Sequence, residues 1–117
     1  MFLDWQHVNA ADVQKILKAV KNHLSNKNTW TDYGIAFNKN GTPVLSNDKN
    51  AVIFSLMGCI EYHSRRLYAK PLSDFVDCAT RDFLSNLSDH KAWKEFMSYY
   101  DELSLLRLAI NEIQKYT

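Results

Sequence analysis

Glycine and proline are scarce in this chain, with three Gly and two Pro in 117 residues. Gly34, Gly41 and Gly58 stand too far apart to build a loop that cradles phosphate, so nucleotide-dependent chemistry is not expected. Cysteine is equally sparse, at two residues. Cys59 and Cys78 make neither a disulfide framework nor a Cys-x2-Cys zinc pair. The Gly-x-Ser-x-Gly elbow of a serine hydrolase and the His-Glu-x-x-His helix of a metalloprotease are missing too, and no family-specific cysteine signature marks a nucleophile. Charge of one sign is not in excess, because 14 Lys or Arg offset 13 Asp or Glu. Residues 1–66 carry +3 and residues 67–117 carry −2. Without a global field, binding of nucleic acid or of an anionic membrane would have to be local. The longest uncharged apolar stretch, Ala51 to Ile60, is about half the ~20 residues that a bilayer span requires. The start, Met1-Phe2-Leu3-Asp4-Trp5, has no basic region leading into an apolar stretch, so a cytoplasmic protein with no membrane partner is the expectation.

What the chain has is ordinary globular composition, 46% hydrophobic and 23% charged, with three Trp, six Tyr and six Phe. A chain of this length supports one core without metal or disulfide, and no repeat or linker divides it, so 1–117 is read as a single globular domain. Asn9 followed by Asp12 forms an N-cap signal, after which Val13, Ile16, Leu17, Val20 and Leu24 recur at helical spacing. The spacing predicts a helix from Ala10 to Ser25, with Lys15, Lys18 and Lys21 on its wet face. Ile35-Ala36-Phe37, a turn at Asn38-Lys39-Asn40-Gly41, and Pro43-Val44-Leu45 predict a β-hairpin whose proline strand lies on an edge.

Ser46-Asn47-Asp48 offers N-caps for a second helix from Lys49 to Arg66 that contains the apolar run. One side carries Ile53, Leu56, Met57 and Ile60. The other carries Ala51, Ser55 and Gly58, a small-residue face that would admit another backbone. Pro71 breaks the chain, and Ser73 caps a third helix from Asp74 to Asn86 with Phe75, Ala79, Phe83 and Leu87 inward. Trp93, Phe96, Met97 and Tyr100 suggest a short fourth helix. Ser98 with Asp101 opens a last one with Leu103, Leu106, Ala109 or Ile110, and Ile113 inward. The fold class is mainly α (α+β): four to five helices around a central apolar helix, with one short β-hairpin.

Candidate chemistry is thin. Cys59 with His63 and Cys78 with Asp82 are i, i+4 pairs of zinc-capable ligands, yet accidental pairs of this kind abound in helices. Both cysteines are read as free, small apolar core residues, with no metal, cofactor or catalytic residue expected. Asp74, Asp77 and Asp82 read as solvated acids, and His7, His23 and His90 have no partner that spacing identifies. Lys15, Lys18 and Lys21, together with Arg65, Arg66 and Lys70 near Tyr62 and Tyr68, combine basic groups with aromatics and are the candidate nucleic-acid contacts. Trp5, Tyr33, Tyr68, Tyr99 and Tyr116, aromatics that no helical stripe clearly buries, are the candidate contacts for a protein partner; Trp30 is equally suited to the core.

The order of features, namely a first helix, Trp30, the hairpin Ala36-Phe37-Asn38-x-Asn40-Gly41-x-x-Val44, then Ala51 through Leu56-Met57-Gly58-Cys59-Ile60, and Leu105-Leu106-x-x-Ala109-Ile110, resembles a family of small uncharacterised proteins from bacteria and their phages. That family typically has Ala after the central glycine, where this chain has Cys59. The resemblance implies an accessory protein of a phage or mobile element, acting as a regulator or inhibitor, and brings no activity or cofactor with it. The function expected is non-enzymatic protein binding. A nucleic-acid-binding regulator is the alternative, followed by an unrecognised enzyme or metal-binding protein.

Overall fold

The computed structural model describes Trp5, residues 7–88 and residues 98–117. Four helices and a three-stranded antiparallel sheet account for the described chain: α1 Ala10–Leu24, β1 Ala36–Phe37, β2 Pro43–Val44, β3 Ile53–Phe54, α2 Leu56–Leu67, α3 Leu72–Ser88 and α4 Tyr99–Ile113, with 3-10 turns at Lys27–Thr29 and Gln114–Tyr116. No described helix is long and apolar enough to cross a membrane.

Helix α1 starts where the sequence marks it. Asn9 Oδ1 accepts from the Asp12 amide while the Asp12 carboxylate accepts from the Asn9 amide, a reciprocal capping box that pairs two otherwise orphaned donors. Its apolar stripe, Val13, Ile16, Leu17, Val20 and Leu24, is wholly buried. This helix and α3 each touch the other three helices, and the fully buried stripe of α1 lies in the core between them. Helix α4 repeats the device with Ser98 and Asp101. Its inner face holds Leu103, Leu106, Ala109 and Ile113, as the spacing predicts; Leu105 is also buried and Leu108 is exposed.

The hairpin forms as expected. Asn38 Oδ1 accepts from the amides of Asn40 and Thr42, and Gly41 supplies the left-handed φ of 81° that closes the loop. Pro43 lies in β2, at the edge of the order β2-β1-β3, where its missing donor leaves no ladder bond unmade.

The second helix is the main correction. It begins at Leu56 rather than Lys49, and within the first half of the Ala51–Ile60 run Ile53 and Phe54 are strand. Ile53 pairs with Phe37 and Phe54 with Ala36, so the run supplies a third strand to the hairpin. A short apolar run fits strand or helix equally well, and here a β-branched and aromatic sequence facing an open strand edge tips the balance. Asp48 does not cap a helix but accepts from the Asn50 amide in a local turn. Ser55 takes the capping role, its Oγ accepting from the Gly58 amide at 3.1 Å. Ala51 and Ser55 therefore precede the helix instead of lining it. Gly58 nonetheless admits a backbone: a Cβ there would lie 2.0 Å from the Ile35 carbonyl oxygen of the strand-entry segment.

Helix α3 begins two residues earlier than expected, and its buried face is rotated. Ser73, Val76, Ala79, Thr80, Phe83 and Leu84 are inside, whereas Phe75 is exposed. The Ala69 and Pro71 carbonyls accept from the amides of its first turn, so Ser73 caps nothing and is buried in that turn. Of the short helix suggested before the last one, Trp93, Phe96 and Met97 lie outside the described residues, and Tyr100 belongs to α4 with 68% of its surface exposed.

Candidate functional site

Among the described residues, a buried cluster and a surface cleft each bring titratable side chains together, and both lean on α2. The first lies inside. His23, in the last turn of α1, and His63, near the end of α2, meet with His63 Nε2 3.3 Å from His23 Nδ1. Cys59, one turn before His63, completes a group whose ligand atoms all lie within 4.8 Å of one another. Cys59 is fully buried and His63 nearly so, while His23 is half-buried. Phe54 and Tyr62 wall the group, each ring within 6.0 Å of the His23 imidazole.

The electrostatics of this cluster follow from burial. Desolvation, the neighbouring imidazole of His23 and the Arg66 guanidinium push His63 down to about 4. Desolvation lowers His23 as well, with Arg66 adding to it and the Val52 carbonyl opposing. Both rings are therefore neutral near pH 7. The Val52 carbonyl lies 3.5 Å from His23 Nε2 and can only accept, so that nitrogen carries the proton and Nδ1 presents its lone pair to His63. Burial pushes the Cys59 thiol upward, which makes it a poor nucleophile.

The second region is a surface cleft of about 200 Å³ between the Thr31–Ile35 segment, the start of α2 and α4. Asp32 and Glu102 line it, and Glu102, in the first turn of α4, is half-buried. Burial raises this carboxyl to about 7, aided by Asp32 and opposed by the Trp30 indole, whose Nε1 donates to Glu102 Oε2. Tyr33, two-thirds exposed and packed on the Phe37 ring, stands at the mouth with exposed Ile35 beside it.

The candidate aromatics divide between core and surface. Tyr33 and Tyr116 are exposed. Trp5 is half-buried, edge-on to Phe83, with its indole donating to Asp82. Tyr68 is half-buried and donates to Asp12 Oδ1 at 3.0 Å, and its phenol is pushed up to about 12. Tyr99 is corrected from surface to core: it is 6% exposed, and its hydroxyl donates to the Leu24 and Ser25 carbonyls, pairing acceptors that the end of α1 leaves open. Trp30 is partly buried against Tyr99.

Among the basic candidates Lys15, Lys18, Arg65, Arg66 and Lys70 are exposed, and Lys21 is half-buried. Lys15 Nζ lies 5.9 Å from the centre of the Tyr68 ring, which joins the α1 lysine stripe to the end of α2. Arg65 is held by Glu61 at 2.9 Å, and Glu61 also faces Arg81, which pairs with Asp77. Asp77 is thus part of a network tying α2 to α3 rather than a freely solvated acid. Cys78 is exposed, contrary to the core placement expected of it, and neither it nor Asp82 joins Cys59 and His63.

Sequence reasoning missed His23 and Glu102. His23 is 36 residues from Cys59, so no spacing rule links them. Glu102 looks like any acid that the helix dipole favours in a first turn. No family model matches the chain, and no curated protein or solved structure matches it either.

Proposed function

We propose that this chain acts without catalysis, by binding another protein through the cleft at Thr31–Ile35, in the manner of an accessory regulator or inhibitor such as a phage or mobile element carries. The observation that carries the reading is the pairing of Glu102 and Asp32 with an exposed aromatic rim. A desolvated carboxyl in an open cleft is costly to keep ionised alone, and a basic side chain from a partner would offset that cost. Tyr33 supplies the large, stiff, amphipathic contact typical of interface hot spots. The partner's expected chemistry is a Lys or Arg flanked by apolar residues.

Affinity purification from the native host, with nuclease treatment and mass spectrometry, tests this. A protein that survives nuclease and is lost with Tyr33→Ala or Glu102→Gln supports the reading. Retention that ignores both substitutions overturns it. The Gln variant keeps an oxygen to accept from Trp30, so loss of binding would not reflect loss of that hydrogen bond.

The nucleic-acid reading is favoured by one observation, the Lys15 contact with Tyr68 that makes one basic and aromatic face of two separate stretches. A mobility shift that weakens with salt and with Lys15→Glu plus Lys18→Glu would support it.

A further inference from the structure

We propose that His23, Cys59 and His63 form a zinc site that clamps α1 to α2, with the fourth position left to water or to an exogenous ligand. The residue set is a thiolate and two imidazoles, a combination suited to a borderline-soft ion with no geometric preference of its own. Cys59 and His63 stand one turn apart on α2, and His23 reaches them from α1. Tetrahedral zinc with Zn–N of ~2.0–2.1 Å places two ligating nitrogens roughly 3.3–3.4 Å apart. His23 Nδ1 and His63 Nε2 are 3.3 Å apart. Cys59 Sγ is the atom that must adjust, closing by at most about 1.2 Å from the 4.8 Å limit to reach a ligand-to-ligand separation of ~3.6 Å.

The surroundings fit as well. A metal-ligating histidine generally donates its other ring N–H to a carbonyl or carboxylate, which fixes the tautomer. His23 Nε2 faces the Val52 carbonyl in that way, leaving Nδ1 for the ion. Phe54 and Tyr62 form an apolar wall, which limits water at the ligand atoms.

In the metal-free protein His63 Nε2 donates to His23 Nδ1; on binding, that proton moves to His63 Nδ1, and the Cys59 thiol proton leaves for solvent. Each Zn²⁺ bound therefore releases one proton. Arg66, the cation that acts on both rings, opposes the added charge and weakens the site.

The test uses tag-free full-length protein, stripped with a chelator and titrated with ZnCl₂ against a chromophoric zinc indicator. One ion per chain and one proton released per ion are expected. Co²⁺ in place of zinc should give the intense visible bands of a tetrahedral site and a thiolate charge-transfer band. Cys59→Ala and His23→Asn should each weaken zinc by about tenfold or more, on the scale seen when metal-site ligands or their supports are removed. Cys78→Ser should bind as the parent does. Zinc bound equally well by Cys59→Ala, a Co²⁺ spectrum without the thiolate band, or no binding by the folded parent would each overturn the proposal. The Co²⁺ spectrum of the parent decides the matter even if a variant fails to fold.

Discussion

The histidine cluster and the Glu102 cleft lie on different sides of α2, and each holds a titratable group out of water, but burial acts on them with opposite sign. Desolvation penalises the charged form in both cases. For His63 that form is the protonated one, so its pKa falls; for Glu102 it is the deprotonated one, so its pKa rises. The cluster is therefore most secure at neutral pH and the cleft at acid pH. One helix thus joins an interior that tolerates no charge to a surface notch with a carboxyl on the verge of ionising.

Separating the two regions physically should produce the largest effect. Gly58 faces Ile35 on the cleft side, and Cys59, the next residue, belongs to the cluster. Gly58→Ala adds a Cβ that would meet the Ile35 carbonyl oxygen at 2.0 Å, so the strand segment must move. Although alanine favours helix by ~1 kcal/mol, the clash with backbone should dominate and cost on the order of 3 kcal/mol, read as a lower urea midpoint. An unchanged or raised midpoint would show that the two sides of α2 are not packed as described.

The pH dependence tests the opposition itself. His63 has a folded value of about 4 against 6.5 for the free group. Its contribution to stability is fully present above 6.5 and is lost as pH falls toward 4, by roughly 3 kcal/mol. Glu102 has a folded value of about 7 against 4.5. Its contribution is fully present below 4.5 and is lost as pH rises through 7, by roughly 2 kcal/mol once solvent screening is allowed for. The two trends oppose each other in the parent. Urea unfolding near pH 4 and near pH 8 should show His63→Asn relieved of the acid loss and Glu102→Gln relieved of the alkaline loss. If both variants keep the parent's pH profile, the contrast between the regions is wrong.

A smaller effect is expected at the seam between α1 and α4. Tyr99→Phe removes the hydroxyl shared by the Leu24 and Ser25 carbonyls, next to His23 at the end of α1. The expected cost is about 1–2 kcal/mol, with little change in either pH arm. The smallest effect on stability belongs to the cleft rim: Tyr33→Ala should shift the unfolding midpoint by less than about 0.5 kcal/mol while it abolishes partner capture. A large loss of stability there would make Tyr33 a structural residue.

Legibility differed sharply between local and distant features. Both capping boxes, the stripes of α1 and α4 and the Asn-Gly hairpin could be read directly, because each depends on residues within one or two turns of one another. The apolar run misled for the opposite reason. Ala51 to Phe54 has no local preference strong enough to choose, and the choice was made by the open edge of Ala36–Phe37. The rotated face of α3 is a similar case, since Phe75 or Val76 could each begin a stripe and packing against the other helices selected Val76.

The sequence by itself determined where α1 and α4 start, which of their faces are apolar, and where the hairpin turns, since those depend on backbone donors and side-chain periodicity close in the chain. Only the tertiary structure decided the candidate sites. His23 reaches Cys59 and His63 because α1 packs on α2, and Glu102 is desolvated because α4 lies beneath the Thr31–Ile35 segment. Burial and juxtaposition across long stretches of chain are properties of packing, and no spacing of residues along a strand or helix encodes them.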